Sequence, residues 1–215
     1  MVDIAGEGAG VFYRFSLNKE RLMALSDGVF AIAITLLVLE IRFPEIPESE
    51  IDALFLSGLG TIIPNLIGFA LSFFIIASYW FSYHRILHFV GEADRTLAML
   101  NIVFLFFIAF IPFPTALIGL YGAHMSIVIF YAVSILLSSI VLFLMWWHAA
   151  AGYNLIDKSL DRRFVEYLTV RLLVPVASFS ASIFVALINP LLAMILWSSL
   201  AFAYPIVKWA YTRNL

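Results

Sequence analysis

One acidic side chain stands inside the first apolar run of the sequence. From Leu22 to Ile41 the only charges are Asp27 and Glu40. A charge at the centre of a bilayer-spanning helix costs roughly 2.5–3.5 kcal/mol on insertion scales, so Asp27, nearer the helix start, costs less but still needs partners. At 100° per residue, Leu25, Gly28, Ile32, Leu36 and Leu39 share one stripe, Thr35 lies at its edge, and Asp27 points roughly the other way. Such a helix has two jobs: an apolar stripe interrupted by a glycine and a hydroxyl, and an acidic anchor turned toward other helices. The spacing is equally met by a plainer arrangement, with the stripe against lipid or a neighbouring helix and Ser26-Asp27 acting as a helix cap. Arg21 and Asp27 are about 240° apart around the helix and cannot pair through an i,i+4 contact. Either both reach polar groups on adjacent helices, with Trp80, His84 and Asn101 as candidates, or Arg21 sits at the headgroups and Asp27 is hydrated.

The other reactive side chains point to little chemistry. His84, His88, His124 and His148 fall in different segments or near segment ends, and no His-Glu-x-x-His occurs. His84 and His88 have i,i+4 spacing, but two nitrogens without a carboxylate at helical spacing make a weak metal site. Cysteine is absent, which removes disulfides and thiolate ligands. No set of nucleophile, base and oxyanion donors converges at one depth, so neither an enzyme nor a cofactor is expected. The formal net charge of −2 offers no basic stripe for nucleic acid.

The elements that must position these residues are membrane helices. The chain is 64% hydrophobic and 12% charged, with a mean hydropathy of +1.04; soluble domains carry roughly 25% charged residues. Lipid is its solvent. Residues 1–13 lack a basic region followed by an apolar core, so no cleavable signal is expected. Charge-free runs, divided by the turn signals Pro112, Pro114, Gly119, Gly122 and Asn189-Pro190, predict an all-α protein with six spans near 20–41, 62–83, 96–118, 125–147, 170–188 and 190–208. Together they form one domain over 1–215. With both termini in the cytoplasm, the inner side holds Arg14, Lys19, Arg21, Arg85, Arg95, Lys158, Arg162, Arg163, Arg171, Lys208 and Arg213. Only Arg42 lies outside, beside Glu45, Glu48, Glu50 and Asp52. That asymmetry orients the chain, and Trp80, Trp146, Trp147 and Trp209 fall near inner ends, as an aromatic belt places them. Ser134/Ser138 and Ser178/Ser182/Ala186 have the spacing of helix-packing notches.

Arg21-Leu-Met-Ala-Leu25-Ser26-Asp27 resembles the Arg-x-x-x-Phe-Ser-Asp signature of the transmembrane protein 175 potassium-channel family, with Leu25 in place of Phe. The continuation from Gly28 to Ile41, Trp80-x-x-x-His84, Asn101 and Pro112-Phe-Pro114 are similar to the family as well. The resemblance implies a homotetrameric cation channel in a bacterial inner membrane, with partners limited to lipid, potassium and further copies of itself. It implies that the first helix of each subunit lines a central pore. Ile32 maps to the apolar constriction, Leu36 and Leu39 to further apolar layers, and Thr35 to the hydroxyl layer that potassium passes in transit, with no metal permanently bound. Arg21, Ser26, Asp27, Gly28, Trp80, His84 and Asn101 map to the structural motif and its polar network. The family has no carbonyl-lined filter, and no Thr-Val-Gly-Tyr-Gly occurs here. A proton-coupled transporter using Asp27 is the other reading; transporters commonly show internal repeats and broken helices, whereas Ser-Asp-Gly occurs once.

Overall fold

The computed structural model describes residues 18–122, 124–153, 155–198, 209 and 211. Its helices are α1 (Lys19–Leu36), α2 (Ile51–Phe89), α3 (Arg95–Phe110), α4 (Pro112–Tyr121), α5 (Met125–Ala150), α6 (Arg162–Ile188) and α7 (Pro190–Ser198). Among the described residues, five helical stretches are long and apolar enough to cross a membrane: Lys19–Glu40, Glu48–Phe89, Arg95–Tyr121, Met125–Tyr153 and Arg162–Ile188. α7 begins where the sixth span is expected, and the rest of that span, with Arg14, Lys208 and Arg213, lies outside the described residues.

The helices run past the charge-free runs that predict the spans. α2 starts well before residue 62 and, at 39 residues, is roughly 58 Å long, against about 30 Å of hydrocarbon. Pro64 lies inside it without ending it. α6 likewise starts before residue 170, where the Asp161 carboxylate accepts from the Arg163 N–H at 3.0 Å and caps the helix. Pro112 opens α4 without ending the helical stretch Arg95–Tyr121, since proline at N1 costs no hydrogen bond. The reversal comes at Gly122, which has φ 60°, a conformation that favours glycine. Asn189 turns the chain between α6 and α7, its Oδ1 accepting from the Leu191 N–H at 2.9 Å.

The core lies where α5 meets α3 and α6. Trp146, Tyr131, Phe104, Phe179 and Trp197 are among its largest fully buried side chains. Ser138, Ser182 and Ala186 are wholly buried, and both serine hydroxyls donate to carbonyls of their own helices. They serve as notches for close packing rather than as a polar path.

At the opposite end of the bundle from Gly122, the α2–α3 and α5–α6 connections are joined by a Val90–Ile156 bridge and a 2.9 Å hydrogen bond from Gly91 N–H to Leu155 O. Asp94, between α2 and α3, caps α3 by accepting from Leu97 N–H at 2.8 Å, and its other oxygen is 2.9 Å from His148 Nε2 at the end of α5. Partial burial pushes this carboxyl up, but the Leu97 and Thr96 N–H groups and His148 outweigh it and hold its pKa below the usual value. Its contribution to stability is therefore complete above the unfolded pKa, about 4, and is lost as pH falls through the lower folded value. Thermal unfolding in detergent from pH 7 to pH 3 should show that Asp94→Asn flattens the acid limb, while Asp94→Ala costs about 1 kcal/mol at neutral pH through the lost cap.

Candidate functional site

α1 has two unlike faces. One is buried: Leu22, Ser26, Phe30, Ala33 and Leu37, with Phe30 packed between the Tyr83 and Phe104 rings at 5.9 Å from each. The other carries Leu25, Gly28, Ile32, Thr35, Leu36 and Leu39, all exposed in the single subunit. Ile32 is 60% exposed and Leu39 67%. In a protein whose solvent is lipid, large apolar groups this open face either the bilayer or another protein surface.

The buried face is fixed by two polar ties. Ser26 Oγ donates to Leu22 O at 2.8 Å and accepts from Tyr83 Oη at 2.7 Å and Asn101 Nδ2 at 3.2 Å. Ser26, Tyr83 and Asn101 are all wholly buried, so this triad joins α1, α2 and α3 with the serine hydroxyl fully satisfied. On the α2 side, one oxygen of Asp27 accepts from Trp80 Nε1 at 2.8 Å and His84 Nε2 at 2.7 Å. A carboxylate only accepts, so the His84 ring proton sits on Nε2. A double-mutant cycle of Asp27→Asn and His84→Ala should show coupling of roughly 0.5–1.5 kcal/mol, the range for such pairs in membrane proteins. Additive losses of thermal stability would sink the tie.

Of the residues singled out in sequence, the structure thus brings together Ser26 with Asn101, and Asp27 with Trp80 and His84. Arg21 stands apart: it is exposed and, with Arg95, lines a cavity of about 680 Å3 between α1 and α3. Gly28 lies on the open face, where an added Cβ would meet nothing within 4 Å. The Thr35 hydroxyl donates back to the carbonyls of Ala31 and Ile32, both at 2.9 Å. Its proton is used on its own helix, and the exposed oxygen keeps its capacity to accept.

Two participants were not found in sequence. Tyr83 supplies the α2 arm of the triad; its signal is the spacing of Ile76, Tyr79, Tyr83 and Ile86, a helical stripe on α2 that is buried throughout. Lys19 donates to Val90 O at 2.7 Å and Leu87 O at 3.4 Å, so a cation in the first turn of α1 satisfies carbonyls at the C-terminal end of α2.

Fold and site together define a multi-pass helical membrane protein whose first helix is anchored along one face and open along the other. The family model described as endosomal/lysosomal potassium channel TMEM175 matches residues 21–112, the stretch holding both polar ties. A potassium channel of Chamaesiphon minutus is 39% identical over 152 residues, covering 69% of this chain and 74% of the relative. One from Streptomyces collinus is 32% identical over 146 residues, covering 66% and 69%. The crystal structure of a lysosomal potassium-selective channel TMEM175 homolog from Chamaesiphon minutus superposes with a TM-score of 0.75 at 31% identity, over 87% of this chain and 96% of that one. The chain belongs to the TMEM175 family, a family of channels and not of enzymes.

Proposed function

We propose that this chain is a potassium-permeable channel, passive rather than ion-coupled, built as a homotetramer around the open face of α1. The observation that carries the reading is the division of α1: its own subunit buries one face completely and leaves Leu25, Gly28, Ile32, Thr35, Leu36 and Leu39 bare. Four such faces around a shared axis cover one another and enclose a pathway. Six spans per subunit, with both termini in the cytoplasm, put all the basic side chains except Arg42 on the inner side. The kinship with proteins named as potassium channels supports the choice of ion.

In this arrangement Ile32 forms the narrowest collar, and Leu36 and Leu39 add apolar layers toward the outer mouth. Such a collar is too dry for a hydrated ion until it widens, and gates by dewetting. The Thr35 oxygens replace part of the ion's hydration shell. Few dipoles are offered, so the preference for potassium over sodium is modest.

Purified protein in liposomes should pass potassium down its gradient with no obligatory second ion. Flux that stops unless protons move in the opposite direction would instead establish the coupled transporter. Thr35→Val keeps the shape of the side chain and removes the oxygen. It should cost about 1 kcal/mol of potassium preference, a factor of about five, measured as the potassium/sodium permeability ratio from reversal potentials at equal protein yield. An equal loss of every cation current would assign Thr35 to folding.

A further inference from the structure

Three ionisable groups at the Lys19 end of α1 and α3 are left without ion pairs by the fold: Glu20, Arg21 and Arg95. All three are exposed, and among the described residues none enters a salt bridge. Helix geometry sets Glu20 100° to one side of Arg21. Asp27, seven residues on, shares that side and is held there by α2. Arg95 belongs to the other side. With Arg21, Leu25, Met99 and Ile102 it lines the cavity of about 680 Å3 between α1 and α3. On α1 and α3 themselves, one flank of the open face thus carries the Glu20 carboxylate and the other the Arg95 guanidinium at the same end of the helix.

The α1 residues of the Glu20 flank are also small, beside the exposed Phe81 of α2. The Glu20 flank continues through Ala24 and Ala31, both small and exposed. The opposite flank presents Leu25, Met99 and Ile102, all large and exposed. In lipid, small side chains let helices approach closely and take up the larger groups of a neighbour. Identical helices turned about one axis keep their depth, so the Glu20 flank of one subunit faces the Arg95 flank of the next at the same level. A carboxylate entering a cleft with two guanidiniums forms charge-assisted hydrogen bonds.

We infer that Glu20 of each subunit enters the cavity between Arg21 and Arg95 of the next, in a heterologous contact that repeats around the ring and closes it. The occupant of the cavity is a second copy of this chain. The contact rests on the axial arrangement of α1 proposed above and adds which flank meets which.

The chain has no cysteine, so engineered disulfides report without background. Two differently tagged subunits are co-expressed, one with Glu20→Cys and the other with Arg95→Cys, and membranes are oxidised with copper phenanthroline. A disulfide-linked dimer carrying both tags is expected, well above what either variant forms alone. Glu20→Cys with Met99→Cys reads the same contact without removing a guanidinium. Ile32→Cys alone serves as the reporter for the axis. Linkage through Ile32 without either mixed pair overturns the contact and leaves the axial arrangement standing; no linkage at all removes both. If the mixed pairs fail while anionic phospholipid co-purifies and is lost from Arg21→Gln and Arg95→Gln, the cavity belongs to a lipid headgroup and the inference is overturned. Charge reversal gives a second measure. Glu20→Arg should reduce the recovered tetramer several-fold on size exclusion, and adding Arg21→Glu with Arg95→Glu should restore it.

Discussion

Ile32→Asn should raise single-channel potassium conductance about tenfold and pull the potassium/sodium permeability ratio toward one, a tenfold change in rate corresponding to about 1.4 kcal/mol off the barrier. Ile32 is 60% exposed on a helix whose opposite face is buried, so the substitution disturbs little within the subunit. Its effect falls on whatever fills the open face. In the proposed tetramer that is a collar of four isoleucines, and an amide at each position hydrates it. Water in the collar lets a cation keep more of its shell, which speeds passage and weakens the discrimination made while the shell is being shed. The measurement is planar-bilayer recording at matched reconstitution. An unchanged conductance would place Ile32 against lipid, and the open face would then be an ordinary membrane surface.

The two faces of α1 were legible because a helix in lipid obeys one rotation, 100° per residue, whatever surrounds it. The stripe from Leu25 to Leu39 is exposed throughout its marked positions, and Asp27 turns away from it toward Trp80 and His84. The need to satisfy an acid inside an apolar run made such partners necessary, and few polar side chains stood nearby to serve. The lengths of α2 and α6 were less legible. Charges end a hydrophobic run, but they do not end a helix: Asp52, Arg85, Arg162 and Arg163 all stay in helical geometry, and Asp52, Arg162 and Arg163 are exposed. Lys19 and Tyr83 were missed for another reason: their partners are Val90 O, Leu87 O and Ser26, each distant in sequence, and nothing in local composition announces a carbonyl left free at a helix end. Arg21 reads differently from the rest of its motif. In the single subunit it joins neither polar tie and instead lines, with Arg95, the cavity between α1 and α3.

Ser26→Val should destabilise the subunit more than any single change on the open face. Valine is close to serine in reach but offers no polar atom, and position 26 is wholly buried. Its loss strips Tyr83 Oη and Asn101 Nδ2 of their shared acceptor. Both partners are wholly buried, and each unsatisfied polar group costs about 1–3 kcal/mol. The extra methyl must also fit at a wholly buried position beside Tyr83, and overpacking adds to the loss. A total of roughly 2–4 kcal/mol is expected, read as a lower midpoint in thermal or denaturant unfolding in detergent. Tyr83→Phe alone should cost less, because Ser26 keeps its bonds to Leu22 O and Asn101. Combined with Ser26→Val it should partly rescue the subunit, since the orphaned phenol hydroxyl is gone. Additivity of the two changes would mean that the hydroxyls do not act as a unit, and α1 would then be held against α2 by packing and the Asp27 tie alone.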